Sequence, residues 1–189
     1  MKTFLWIFAV VLSLSAAAFS QEKNNDQINR QIRSSGLDHM SVTFDASSNT
    51  SKLMAVSENF SNRDADNAGV QAINFAMGFF YPGQSLKTSP ETVHFTFWVL
   101  TKKPRFAENH HLTVDLDGRT LDISDARYAA KPAQNMEYLN FEFSRTALAA
   151  IGSANKVVFH IGDHTFSATP AQIKLIRETA HVADTSSMN

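Results

Sequence analysis

Residues 91–106 read ETVHFTFWVLTKKPRF, and the reading of their middle decides the fold. Val93, Phe95, Phe97 and Val99 recur with a period of two, which places them on one face of a β-strand. A half-buried strand would carry polar residues on its other face, yet Trp98 and Leu100 stand there beside His94 and Thr96. Either that second face is open, or another part of the chain covers it.

The flanking segments repeat the period. Met40, Val42 and Phe44 alternate with Ser41 and Thr43, and a second alternating stretch runs from Leu53 to Phe60. SNRDADNAG (61–69) reads as a loop by composition. In QAINFAMGFFYPG, Ile73, Phe75, Met77, Phe79 and Tyr81 share a face against Ala72, Asn74, Ala76 and Gly78, and Pro82-Gly83 ends the strand. Asp117-Gly118 and Gly162-Asp163 are two-residue hairpin turns. The first sets Val114 opposite Leu121 and Leu112 opposite Ile123; the second sets Phe159 opposite Phe166. MEYLNFEFS (136–144) alternates Met136, Tyr138, Asn140 and Glu142 with Leu139, Phe141 and Phe143, and RTALAAIGSA follows as one or two helical turns.

Thr169-Pro170 supplies an N-cap and first helical residue for PAQIKLIRETAHVAD, whose Ile173, Leu175, Ile176, Ala180, Val182 and Ala183 form a broad apolar arc. Short, evenly spaced strands without βαβ alternation predict an all-β antiparallel β-sandwich of about eight or nine strands, with one C-terminal α-helix (170–183) packed on a sheet. The small residues Ala72, Ala76 and Gly78 would let that helix lie over Trp98 and Leu100.

The ends speak to destination. Residues 1–20, MKTFLWIFAVVLSLSAAAFS, join one positive charge, an apolar run and a small-residue region, the pattern of a signal peptide cleaved before Gln21. The apolar run is short for a membrane anchor and lacks a basic stop signal. Residues 21–36 read as a polar tether, 37–184 as a single domain and 185–189 as a disordered tail. The 189 residues contain no cysteine, so an exported domain must rest on its core rather than on disulfides. Together these features predict a periplasmic or secreted bacterial envelope protein with no membrane span after cleavage. Without Lys2 the chain has sixteen basic and eighteen acidic residues, a balance that gives no reason to expect nucleic acid as a partner.

Chemistry-bearing patterns are sparse. Of the seven histidines, His160 and His164 fall on opposite faces of their hairpin, as do adjacent His110 and His111 in a strand; His39, His94 and His181 stand apart. Asp64, Asp66 and Gly69 begin like a calcium loop, but Ala68 and Phe75 occupy ligand positions. Ser153-x-x-Lys156 matches a serine–lysine spacing without its companion motifs. Asp115 and Asp122 alternate with threonine on a solvated face, where carboxylates stay ordinary. Asn49-Thr50-Ser51 and Asn59-Phe60-Ser61 are glycosylation triplets only in a eukaryotic secretory route. Nothing calls for a cofactor or a metal. Fifteen phenylalanines against three tyrosines and two tryptophans favour core over an aromatic ligand platform.

The expectation is therefore a non-catalytic binding or protein-interaction module with an unidentified envelope partner or ligand. Its contact surface would be the loops 61–69 and 102–111, the second carrying Lys102, Lys103, Arg105, His110 and His111. A hydrolase assembled from separate loops would instead gather His110 or His111 with a carboxylate and Ser153 in one pocket. A subunit of a larger assembly would expose a sizeable apolar patch.

Overall fold

The computed structural model describes residues 39–184. The expected signal peptide, tether and tail (1–20, 21–36, 185–189) lie outside the described residues. Ten strands form two antiparallel sheets. They are β1 (Met40–Asp45), β2 (Thr50–Val56), β3 (Ala72–Pro82), β4 (Thr92–Leu100), β5 (His111–Leu116), β6 (Arg119–Asp125), β7 (Arg127–Lys131), β8 (Met136–Ser144), β9 (Val157–Ile161) and β10 (His164–Ser167). The larger sheet runs β1-β2-β3-β4-β8-β7 and the smaller β10-β9-β5-β6.

The period-two reading fixes which side faces in. Register sets Phe75 opposite Phe97, Met77 opposite Phe95, and Phe95 opposite Phe141, all on one buried face. Val114 opposite Phe159, and Phe159 opposite Phe166, supply the facing layer. Phe60, Phe75, Phe95 and Phe97 all meet Phe159 with ring centroids 5.4–6.1 Å apart, so the two sheets join through phenylalanine.

Three α-helices make the architecture mixed rather than purely all-β: α1 (Asn62–Ala68), α2 (Arg145–Ser153) and α3 (Pro170–Asp184). The segment 61–69 is thus helical where composition suggested a loop. Ser61 Oγ accepts from Asp64 N, and Gly69 ends the helix with a positive φ of 67°, a conformation glycine adopts without strain. Ala65 and Ala68 are buried, and the Asp64 carboxylate accepts from Ser167 N at the edge strand β10. Tertiary contact orders a helix too short to hold itself.

The C-terminal helix begins where the sequence indicates. Thr169 Oγ1 accepts from Gln172 N, and Gln172 Oε1 accepts from Thr169 N, a reciprocal cap. Its position differs from the expectation. It packs along α2 and touches β3, and its buried Ile173, Leu175, Ile176 and Ala183 join the same cluster as Met40, Val42 and Leu53 on the inner face. The reason is the mismatch between sheets. Six strands face four, and α2 and α3 fill the remaining width of the inner layer. Trp98 and Leu100 are on the outer face, and no helix among the described residues covers them.

The first hairpin also departs from simple alternation. Val114 pairs with Leu121 as expected, but Leu112 pairs with Ser124 because the register shifts between Leu112 and Thr113, leaving Ile123 as the extra residue of a bulge. That bulge brings His111 opposite Asp125.

Candidate functional site

Among the described residues, the exposed large apolar side chains, Phe80 and Leu100, both lie on the outer face of the six-stranded sheet. Cross-strand register builds it row by row: Lys52 opposite Phe80, then Met54, Gly78, His94 and Glu142, then Val56, Ala76, Thr96 and Asn140. Asn74, Trp98, Tyr138 and Ala129 form the next row, and Ala72, Leu100, Met136 and Lys131 the last. Buried Ala76 and Gly78 form a low floor, with taller side chains on both sides. The resulting depression encloses about 250 Å³ and is bordered by Met54, Phe80, His94, Trp98, Tyr138 and Asn140.

Phe80 is 55% exposed and Leu100 37%, while Trp98, Tyr138, Met54 and Met136 are half-buried. Thr96 Oγ1 donates to Asn140 Oδ1 at 2.9 Å, so these two are already paired, whereas the buried Asn74 Oδ1 in the next row has no hydrogen-bond partner among the described residues. Lysine ammonium groups lie over two rings, Lys52 5.8 Å from Phe80 and Lys131 5.3 Å from Tyr138, with the attraction expected of a cation at a ring face. The carboxylate of Glu142 is engaged by Arg127. Asp45, at the far corner, accepts from Ser47 and Ser48, whose hydrogen bonds hold its pKa below the usual carboxylate value. An apolar centre with an excess of cations at its margin results. Parity alone placed Trp98 and Tyr138 on this face; what the sequence could not show was that no described segment packs over them.

Past Leu100 lies the 102–111 loop. Lys102, Lys103 and Arg105 are exposed, but their backbone is tightly held. Glu137, 1% exposed on the inward side of β8, accepts from Arg105 N, Phe106 N and Tyr128 Oη at 2.9–3.1 Å. Burial, then the hydrogen bond to this carboxylate, pushes the Tyr128 hydroxyl pKa up to about 12. The signal for Glu137 was available, because an acidic residue sits in phase with Leu139, Phe141 and Phe143. Arg105 Nε donates to the Gly69 carbonyl, tying the loop to α1.

The structure does not bring the five loop residues together. His110 stacks on Tyr128, with Nδ1 3.1 Å from the Phe106 carbonyl. His111 faces the other way, with Nδ1 2.8 Å from Asp125 and Nε2 2.7 Å from Asp122. The Asp125 hydrogen bond first, then the Asp122 one, raises the His111 pKa. Because the folded state binds that proton more tightly, the contribution to stability is complete below about pH 6.5, the unperturbed histidine value, and is lost as pH rises through the folded pKa. Solvent screening keeps it small. In an NMR titration Asp125→Asn should lower the His111 midpoint; an unchanged midpoint would refute this account.

Other sequence patterns resolve into structural roles. His160 bridges Asp115 (3.0 Å) and Thr165 (3.1 Å), and Thr120 donates to Asp115, a ladder on the outer face of the small sheet. Ser153 is the last residue of α2 and donates to the Ala150 carbonyl; the groove it lines contains neither His110 nor His111. The Asp64 and Asp66 positions are helical, so the calcium-loop resemblance has no loop. Among the described residues no group of three His, Asp or Glu is placed to hold a metal ion, and no helix is long and apolar enough to cross a membrane. No family model matches the chain, and no curated protein or solved structure matches it.

Proposed function

We propose that this protein is an exported, non-catalytic interaction module of the bacterial envelope that docks a partner protein on the outer face of its six-stranded sheet. The observation that carries the reading is the set of exposed Phe80 and Leu100 and half-buried Trp98 and Tyr138 on a face no part of the described chain covers. Aromatic and methionine side chains with a polar margin are the composition of interface centres, where a few such anchors carry most of the binding energy. The margin selects the partner's chemistry. Lys52 and Lys131 border the face, whereas Glu142 is already engaged by Arg127, so the complementary surface is apolar at its centre and acidic around it. The leader-like residues 1–20 support the envelope as the setting.

Trp98 is the single tryptophan after residue 20, which makes it a direct reporter. The test compares the processed protein with Phe80→Ser/Trp98→Ala in capture from its native envelope. The expected result is an acidic-surfaced partner retained at least tenfold better by the unaltered protein, released by salt, and blue-shifting Trp98 emission when purified and added back. Equal capture by both proteins would overturn the reading. So would light scattering that shows a dimer abolished by the double variant, since the occupant would then be a second copy.

A further inference from the structure

We infer that the groove between α2 and α3 is a binding site for a small organic anion, a carboxylate or phosphate whose oxygens are held by Arg177 and Arg145. This rests on different residues from the docking face. The groove encloses about 470 Å³, within the size range of small-molecule sites. Its shape follows from side-chain size. Gly152 lets the helices close at one end, since a Cβ there would stand 2.8 Å from Arg177 Cα, and Ala149 and Ala180 keep the floor low.

Its walls are cationic. Arg177 Nε donates to the Gly152 carbonyl at 2.7 Å, which fixes the plane of the guanidinium, and its terminal nitrogens make no other hydrogen bond among the described residues. A guanidinium oriented through Nε and free at its outer edge matches the two-oxygen edge of a carboxylate or phosphate. Arg145 lines the far end, with one Nη1 contact to Asp184 at 3.3 Å. Among the described residues that line the groove, two permanently charged guanidinium groups and His181 thus face the single carboxylate of Asp184. Thr146 adds a hydroxyl beside Arg145, and Ala149 and Ala180 offer an apolar bed for the body of the ligand. The helices do not need these arginines to stay together, because Leu148, Ile151, Ile173 and Ile176 bury the interface beneath them.

Titration of the processed protein with inorganic phosphate, glycerol 3-phosphate and succinate, followed by NMR of backbone amides and arginine Nε–H groups, tests the assignment. The expected result is saturable shifts confined to α2 and α3, weakened at least tenfold by Arg177→Gln and by Arg145→Gln, and unchanged by Arg119→Gln on β6. Stronger binding of succinate makes the natural ligand a carboxylate, and stronger binding of glycerol 3-phosphate makes it a phosphate ester. Arg145→Gln leaves the Gly152 contact intact, so its effect is free of any folding defect in Arg177→Gln. No saturable shift with any of the three anions, or equal weakening by Arg119→Gln, would overturn the proposal.

Discussion

Replacing Glu137 with alanine is expected to cost about 3–5 kcal/mol, because a buried donor left without an acceptor costs roughly 1–3 kcal/mol and this carboxylate serves the buried Phe106 amide and two part-buried donors, Arg105 N and Tyr128 Oη. At roughly 2–4 °C per kcal/mol for a chain of this size, thermal unfolding should fall by roughly 10 °C. Glutamine keeps one acceptor oxygen but turns an NH2 toward a donor, so Glu137→Gln should lie between alanine and the unaltered protein. The same change should loosen the 102–111 loop, since the amides of Arg105 and Phe106 lose their anchor and would exchange faster with solvent. A denaturant midpoint equivalent to within about 0.5 kcal/mol of the unaltered protein, the range of ordinary surface changes, would refute the clamp.

That clamp also shows what a single sequence can and cannot disclose. Alternation placed Phe95, Phe97, Phe141 and Phe143 inward correctly, because β-strand parity is a local property and needs no knowledge of the partner strand. Turn chemistry set both hairpins, for Asp117-Gly118 and Gly162-Asp163 specify their own registers. The bulge at Ile123 escaped, since one extra residue leaves the apolar pattern nearly unaltered. Helix α1 escaped for another reason: its order comes from Ala65, Ala68 and Asp64 meeting distant parts of the chain, and composition does not report such contacts.

Strand order is the largest quantity the sequence withheld, and it reversed the expected place of the C-terminal helix. An apolar arc specifies that a helix must be covered, not by which surface. Two surfaces suited it: the outer face around Ala76 and Gly78, and an inner face wider than the small sheet. Burial favoured the second, where Met40, Val42 and Leu53 would otherwise be wet. The site reading moved with it. Lys102, Lys103 and Arg105 are exposed on a loop tied to Glu137 and Gly69, while His110 and His111 turn to structural partners, and Trp98 passes from assigned core to the half-buried outer face.

The phenylalanines give the sharpest test of this division. Phe159 lies on β9, between β10 and β5, and its ring meets four others from the opposite layer. Phe159→Ala should cost about 3–5 kcal/mol through lost burial and the cavity left between the sheets. A domain of this kind has only about 5–15 kcal/mol in all, so a substantial unfolded population at 37 °C is the expected result. Phe80 has the same side chain, 55% exposed, and Phe80→Ser should alter stability by no more than about 0.5 kcal/mol. If the outer face is the docking surface, the two variants separate folding from function: Phe159→Ala loses both together, while Phe80→Ser keeps the unfolding midpoint and loses the partner. Equal destabilisation by the two would mean that Phe80 is covered in the working protein, and that the outer face is a second core layer after all.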